Sequence, residues 1–226
     1  MTSRVAITRA LPQAEATAER VRALGAIPVL TPLLEIKARP FDTNISGAQA
    51  LLFTSANGVR AFWFKNPAAH KINVLAIGDA TAQAARTMGF AGVRSADGDV
   101  AALIEAARDI LDPNDGALIH FSGAHVAGDL VGELRKAGFS AERRICYEAI
   151  AVAALPPALN EPLDIVLFHS VRGAETFVKL GAPGASHLTA ACLSQAVADA
   201  AHGPRWRRVI VSPAPREDAF LRAALA

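Results

Sequence analysis

The sequence predicts an α/β protein of two doubly wound parallel-sheet domains made by tandem duplication, and three observations predict it. Ala50 to Phe62, ALLFTSANGVRAF, returns as DIVLFHSVRGAETF at Asp164 to Phe177. Each copy has an apolar run, a serine (Ser55, Ser170), a glycine three places on (Gly58, Gly173) and a phenylalanine four further (Phe62, Phe177). The two serines stand 115 positions apart, Ser55 against Ser170, in a chain of 226 residues, so one unit fills about half the length. Lastly, short apolar runs alternate with helical patterns from end to end, which is how parallel sheets covered by helices are written.

Other segments keep the same spacing. Val5 to Arg9 aligns with Leu118 to Gly123, and the helical patterns that follow close on Leu24-Gly25 and Ala137-Gly138. Val74 to Ala85 aligns with Ala190 to Ala201, setting Gly78 opposite Ser194 and Thr81 opposite Val197. Asp99 to Leu111 answers Arg216 to Leu225.

In chain order, Val5 to Thr8 reads as a strand. Leu11-Pro12 then opens a helix, with proline in the first turn and Ala14, Ala18, Val21 and Leu24 at helical spacing, stopped by Gly25. Ile27 to Leu30 is the next strand, and Pro32 to Arg39 is extended and alternating up to Pro40. Strands follow at Leu51 to Phe53 and Asn73 to Ile77, with helices at Asn57 to Phe64, Asp79 to Met88 and Val100 to Leu111. The second copy begins with a strand at Ala117 to Phe121. A helix at Val126 to Ala137 and an extended stretch at Ala141 to Val152 come next, then strands at Ile165 to Phe168, Leu188 to Leu193 and Val209 to Val211. The alternation is of the flavodoxin-like, doubly wound kind.

Composition excludes several classes. Charged residues make up 19% of the chain and the formal net charge is +2, with no Lys/Arg run longer than Arg207-Arg208, so nucleic acid is not expected as a partner. The longest apolar run, Ala149 to Leu159, contains two prolines and falls short of the roughly 18 residues a membrane span needs. The N-terminus enters a strand pattern directly, which predicts no secretory signal and a cytoplasmic protein. Cys146 and Cys192 sit in apolar contexts and read as buried free thiols. The six histidines have no metal-ligand spacing.

In an open parallel sheet, ligands sit beyond the carboxyl ends of the strands. Six segments fall there: Thr8-Arg9, Thr54-Ser55-Ala56-Asn57, Gly78-Asp79-Ala80-Thr81, Ser122-Gly123, His169-Ser170-Val171-Arg172 and Ser194-Gln195. Each reads as the mouth of a helix, where unpaired amides and the positive dipole end favour anions. Two domains facing each other across such edges would hold a polyanion. The same residues also serve as plain helix caps. No phosphate loop or dinucleotide fingerprint is present, and Ser170 beside His169 lacks the frame of a nucleophile elbow. Tyr147, the only tyrosine, lies on the alternating stretch between the copies; it reads equally as a packed ring with a wet hydroxyl or as a proton donor.

Taken together, Thr8-Arg9, PVLTPLLEI at Pro28 to Ile36, LLFTSANGV at Leu51 to Val59, AIGDATA at Ala76 to Ala82, the Ser122-Gly123 turn, the helix end Leu134 to Gly138, Tyr147, and LFHSVRGAETF at Leu167 to Phe177 resemble the uroporphyrinogen-III synthase family. That resemblance implies an enzyme that cyclises hydroxymethylbilane, a linear tetrapyrrole polycarboxylate, with inversion of ring D and loss of water, using no cofactor and no metal. It implies two domains joined by a two-stranded linker, with crossovers at Leu33 to Arg39 and Tyr147 to Ala153. Residues 1–35 with 152–226 would form one domain and 36–151 the other; composition reads the same for two contiguous halves.

Matched residue by residue, Tyr147 is the candidate acid and Thr81 a substrate contact, while Val197 stands where the second copy often carries threonine. Arg9 and Arg172 are the side chains suited to pair carboxylates. Thr8, Ser55, Ala56, Asn57, Ser122, Gly123, Ser170 and Val171 complete the expected substrate-binding set, and Asp79 is expected to cap its helix and face away. A monomer is expected, with a transient contact to porphobilinogen deaminase. The rival reading is a non-catalytic two-domain binder or sensor of a polyanionic small molecule.

Overall fold

A computed structural model describes residues 2–126 and 128–226. The chain divides into two compact units, one made of residues up to Glu35 together with Ile150–Ala226, the other of Ile36–Ala149.

The first unit contains β1 (Arg4–Ile7), α1 (Gln13–Ala23) and β2 (Ile27–Leu30). The chain then runs through β3 (Leu34–Ala38) into the second unit. That unit comprises β4 (Ala48–Phe53), α2 (Ala56–Trp63), β5 (Asn73–Ala76), α3 (Asp79–Met88), β6 (Val93–Ser95), α4 (Val100–Ile110), β7 (Ala117–Gly123) and α5 (Leu130–Lys136). It returns along β8 (Ala141–Ala151) to complete the first unit with β9 (Ile165–Phe168), α6 (Val171–Lys179), β10 (Thr189–Cys192), α7 (Gln195–Ala200), β11 (Arg208–Val211) and α8 (Glu217–Leu225).

The first sheet has the order β11-β10-β9-β1-β2, and its strand pairs are all parallel. Numbered along the chain within that unit, this is 2-1-3-4-5, the flavodoxin-like order. The second sheet, β3-β8-β7-β4-β5-β6, repeats it, with β7, β8, β4, β5 and β6 standing for β1, β2, β9, β10 and β11. β3 is the addition. Hydrogen bonds from Arg39 N to Cys146 O and from Val152 N to Leu33 O set it antiparallel to the β8 stretch, so the two passages of the chain between units run side by side.

Alternate residues of each strand feed opposite cores, as the period-2 pleat requires. In the first unit Val166 and Phe168 pack with Ala174 and Phe177 of α6, while Ile165 and Leu167 pack with Val21 of α1 and Phe220 of α8. In the second, Leu51 and Phe53 meet Val59 and Phe62 of α2, and Leu52 meets Leu103 of α4 and Leu134 of α5. The two repeated phenylalanines are core rings: Phe62 lies 4.4 Å from Phe121 between centroids, and Phe177 lies 5.7 Å from Trp206. Both cysteines are buried and free, and burial pushes each thiol up to about 12.

The repeated glycine is a packing residue: Gly58 lies inside α2, where a Cβ would come 2.6 Å from the Phe121 carbonyl oxygen, so the helix docks on β7 only because there is no side chain. Three sequence expectations need correction. The helix expected from Val126 starts at Leu130 instead, because the Asp129 carboxylate accepts from Gly132 N and fixes the helix start there; Ala127 lies outside the described residues. Asp79 does not cap α3. Gly78 holds the cap position without a side-chain acceptor, and Asp79 is the first helical residue. Finally, Thr8-Arg9 and Ser122-Gly123 are not helix mouths, since α1 and α5 begin several residues later.

Candidate active site

Each sheet changes winding direction between its third and first strands, which in these units are β9 beside β1 and β4 beside β7. Ligand crevices of open α/β sheets form at this switch point, at the carboxyl ends. In the second unit a cavity of about 190 Å³ opens there, lined by Thr54, Ser55, His120, Gly123 and Tyr147 among others.

Ser55 has extended backbone angles and caps α2, its Oγ accepting from Asn57 N at 3.2 Å. Ala56 and Asn57 are the first two helical residues, and the Asn57 Oδ1 accepts from Arg60 Nη2 at 2.7 Å. Tyr147 arrives from β8. Its ladder with β7 slips by one residue, Ser122 pairing with Ile145 but Gly123 with Tyr147, so a bulge sets the tyrosine rather than Cys146 opposite the glycine. The ring then lies against Gly123, where a Cβ would meet Cζ at 2.8 Å and the hydroxyl at 3.0 Å. Burial pushes the Tyr147 hydroxyl above its ordinary value, against a hydrogen bond with Ser55 and the nearby Arg60 charge, which pull it down. A tyrosine so held stays protonated at neutral pH.

Behind it, Thr54 Oγ1 and His120 Nε2 lie 3.0 Å apart. Burial, reinforced by the Arg143 charge, lowers His120 to about 4, so the imidazole is neutral. Ser122 is buried and accepts from Arg143 Nε at 2.8 Å, which commits its hydroxyl to the protein. Thr81 is buried on the inner side of α3, as is Val197 at the matching place in α7, so the exchange of hydroxyl for methyl falls at a site turned from solvent. The amides opening α3 face no side-chain cap.

The first unit is arranged differently. Thr8 is buried and its Oγ1 donates to Leu167 O at 2.6 Å, tying β1 to β9. Arg9 Nη1 bonds Glu217 Oε2 at 3.0 Å and Thr17 Oγ1 at 3.2 Å. The Thr17 hydroxyl donates to the other Glu217 oxygen at 2.6 Å. Burial pushes the Glu217 carboxyl up, but His169, Arg9 and Thr17 outweigh it and hold the group at about 2. His169 Nε2 stands 3.4 Å from Glu217 Oε2, and among the described residues neither ring nitrogen has a hydrogen-bond partner. Burial pushes that imidazole below its ordinary value, with Glu217 pulling it the other way. Ser170 caps α6, its Oγ accepting from Gly173 N at 3.2 Å; Val171 and Arg172 follow as the first helical residues, and Arg172 O accepts from Thr176 Oγ1 at 2.6 Å.

Within the second unit the structure therefore brings together Ser55, Asn57, Gly123 and Tyr147. Thr8 and Ser122 turn inward, and Arg9 is engaged by an acid. Sequence reasoning missed His120, Arg143 and Glu217. His120 falls within an aligned strand segment, and its interruption of an apolar run was a readable signal; the Arg9–Glu217 pair spans 208 positions and leaves none.

Fold and site describe a two-unit, doubly wound α/β protein that carries its polar groups on the carboxyl edges of parallel sheets. Among the described residues no three His, Cys, Asp or Glu side chains are grouped to hold a metal ion, and no helix is long and apolar enough to cross a membrane. The chain belongs to the uroporphyrinogen-III synthase HemD family, whose model matches residues 15–222. Among solved structures it is similar to the uroporphyrinogen-III synthetase of Helicobacter pylori 26695, at 17% identity and a TM-score of 0.70, covering 100% of this chain and 99% of that one. It is also similar to a mutant uroporphyrinogen III synthase of the extremely thermophilic bacterium Thermus thermophilus, at 20% identity and a TM-score of 0.56, covering 98% and 96%. These likenesses speak for the fold. No curated protein matches the chain in sequence.

Proposed function

We propose that this member of the uroporphyrinogen-III synthase family is a cyclising hydro-lyase that acts on hydroxymethylbilane without cofactor or metal, with Tyr147 as its proton donor. The observation that carries the reading is the seating of the only tyrosine: its hydroxyl, kept protonated by burial, lies with Ser55 in a cavity at the switch point of a parallel sheet.

The chemistry asks little else of side chains. Tyr147 gives its proton to the departing hydroxyl, which leaves as water, and the hydroxymethyl carbon becomes an electrophilic azafulvene. The substituted carbon of ring D attacks first, and the spiro intermediate so formed opens and recloses with that ring inverted; the ring proton lost on aromatisation restores the tyrosine. Because the azafulvene is reactive unaided, selectivity comes from how the chain is folded before attack. Backbone amides opening α2, α3 and α6 suit the substrate's carboxylates, through Ser55, Ala56 and Asn57, through the turn before Thr81, and through Ser170, Val171 and Arg172. Thr8 and Ser122 act through backbone rather than hydroxyl, and Arg9 takes a carboxylate only with the guanidinium nitrogens that Glu217 leaves. We further propose that residues 1–35 with 152–226 and residues 36–151 are its two domains. The protein is proposed to work as a cytoplasmic monomer that receives its unstable substrate in transient contact with porphobilinogen deaminase.

Tyr147→Phe tests the reading. The kcat of ring closure should fall about 10- to 100-fold with KM little changed. Wild-type kcat in that variant would remove Tyr147 from the mechanism.

A further inference from the structure

We propose that Arg143 is a positioning residue for the reaction: its guanidinium fixes the Ser122–Ala124 turn on which Tyr147 rests, and so sets where the tyrosine hydroxyl points. The inference rests on the reading of Tyr147 as proton donor.

The need for such a brace arises from the bulge. Where the ladder slips between Ser122 and Gly123, the carbonyls of the turn lose regular strand partners. Arg143, on β8 opposite His120, supplies them. Its Nε donates to Ser122 Oγ at 2.8 Å, and its Nη2 donates to Gly123 O at 2.7 Å and Ala124 O at 2.9 Å. Ser122 Oγ also donates to Gly123 O at 3.1 Å. A planar fork with fixed donor directions defines such a turn as a lysine's single point charge does not.

Tyr147 leans on this turn twice. Ala124 N donates to Tyr147 O at 2.9 Å, and the ring end lies so close over Gly123 that no Cβ fits between. A shift of the turn by a few tenths of an ångström is passed to the hydroxyl and its placement beside Ser55. The cation that pulls the hydroxyl down is Arg60. Losing the Arg143 charge alone would raise the tyrosine's transition, so a downward shift on replacing Arg143 reports geometry.

Because Tyr147 is the only tyrosine, tyrosinate absorbance near 295 nm titrates this one hydroxyl in the intact protein. In Arg143→Met the turn loosens, burial of the ring falls, and the transition moves down toward that of an ordinary tyrosine. In the same variant kcat should fall about tenfold or more with KM within about twofold, as expected for a misplaced catalytic group. Arg143→Lys should behave like Arg143→Met in both readouts, and Ser122→Ala, which removes one of the three Arg143 contacts together with the Ser122 Oγ bond to Gly123 O, should show a smaller change of the same kind.

An unmoved titration, or an unmoved kcat, in a folded Arg143→Met protein overturns the inference. So does full kcat in Arg143→Lys, which would make charge rather than the fork the operative feature, and so does a raised KM at unchanged kcat, which would make Arg143 a ligand for substrate carboxylates. Should Arg143→Met fail to fold, Arg143→Lys and Ser122→Ala decide by the same two readouts. The proposed role of Tyr147 fails separately, through wild-type kcat in Tyr147→Phe.

Discussion

Acidification from pH 7 to pH 5 should destabilise the second unit through His120. Only 2% of this residue is exposed, and burial with the Arg143 charge holds its imidazole at about 4 against an ordinary 6.5. The folded state therefore binds fewer protons than the unfolded chain between those values, and stability rises with pH across the window. At pH 7 the folded imidazole is neutral and the unfolded one is about three-quarters neutral, so little is lost. At pH 5 the unfolded imidazole is nearly fully charged while the folded one is still neutral, so the cost at that pH is about 2 kcal/mol.

The two tryptophans make this measurable one unit at a time, because Trp63 belongs to the second unit and Trp206 to the first. In a Trp206→Phe background, urea unfolding followed by Trp63 fluorescence at pH 7 and pH 5 reports the second unit and leaves aside the buried His169 of the first. His120→Gln keeps a nitrogen near Thr54 Oγ1 but cannot titrate. It should cut the loss of stability on acidification by about 2 kcal/mol relative to its parent. Equal losses in both proteins would show that His120 is not held neutral, and would refute the reasoning.

Other expectations follow from the same contacts. Gly58→Ala should destabilise by about 1–3 kcal/mol in urea unfolding, since its Cβ meets the Phe121 carbonyl oxygen at 2.6 Å, whereas Gly173→Ala, with the Ser170 hydroxyl at 3.2 Å as its tightest neighbour, should be much closer to neutral. Gly123→Ala should fold yet displace the Tyr147 ring, lowering kcat about tenfold or more with a shifted tyrosinate titration. Glu217→Gln should leave the part-buried Arg9 without its acid and cost the first unit about 1–3 kcal/mol, the pair being incompletely shielded from water. Glu217 should add a further acid loss of stability to the first unit that sets in as pH drops below about 4.5 and continues towards 2, because the depressed carboxyl stabilises fully only above its unfolded value.

Much of the fold was legible because it is written in local periodicity. The helix Asp79–Met88 and the strand Ile165–Phe168 coincide with their sequence readings, since a glycine or a polar residue marks each end. The duplication carried the matching caps, Ser55 with Ser170 and Gly78 with Ser194, into place. β6 escaped notice because its three residues, Val93–Ser95, contain a single apolar side chain. The site was less legible. Asp79 looked like a cap, but an aspartate just inside a helix serves the dipole equally well, and the backbone placed Gly78 at the cap. Thr8 and Ser122 looked like ligand contacts, yet their hydroxyls are spent on Leu167 O and Arg143, partners that no spacing rule announces. The seating of Tyr147 depends on a one-residue bulge, and a bulge leaves no mark in an alternating stretch.

The central claim is tested most directly by product analysis. Porphobilinogen deaminase generates hydroxymethylbilane, chelator-treated protein is added, and the oxidised products are separated into type I and type III uroporphyrin. Predominant type III that scales with the wild-type protein, and falls towards the spontaneous type I background with an equal amount of Tyr147→Phe, is the predicted result. Type I alone with wild-type protein would contradict the account and leave a binder of polyanions.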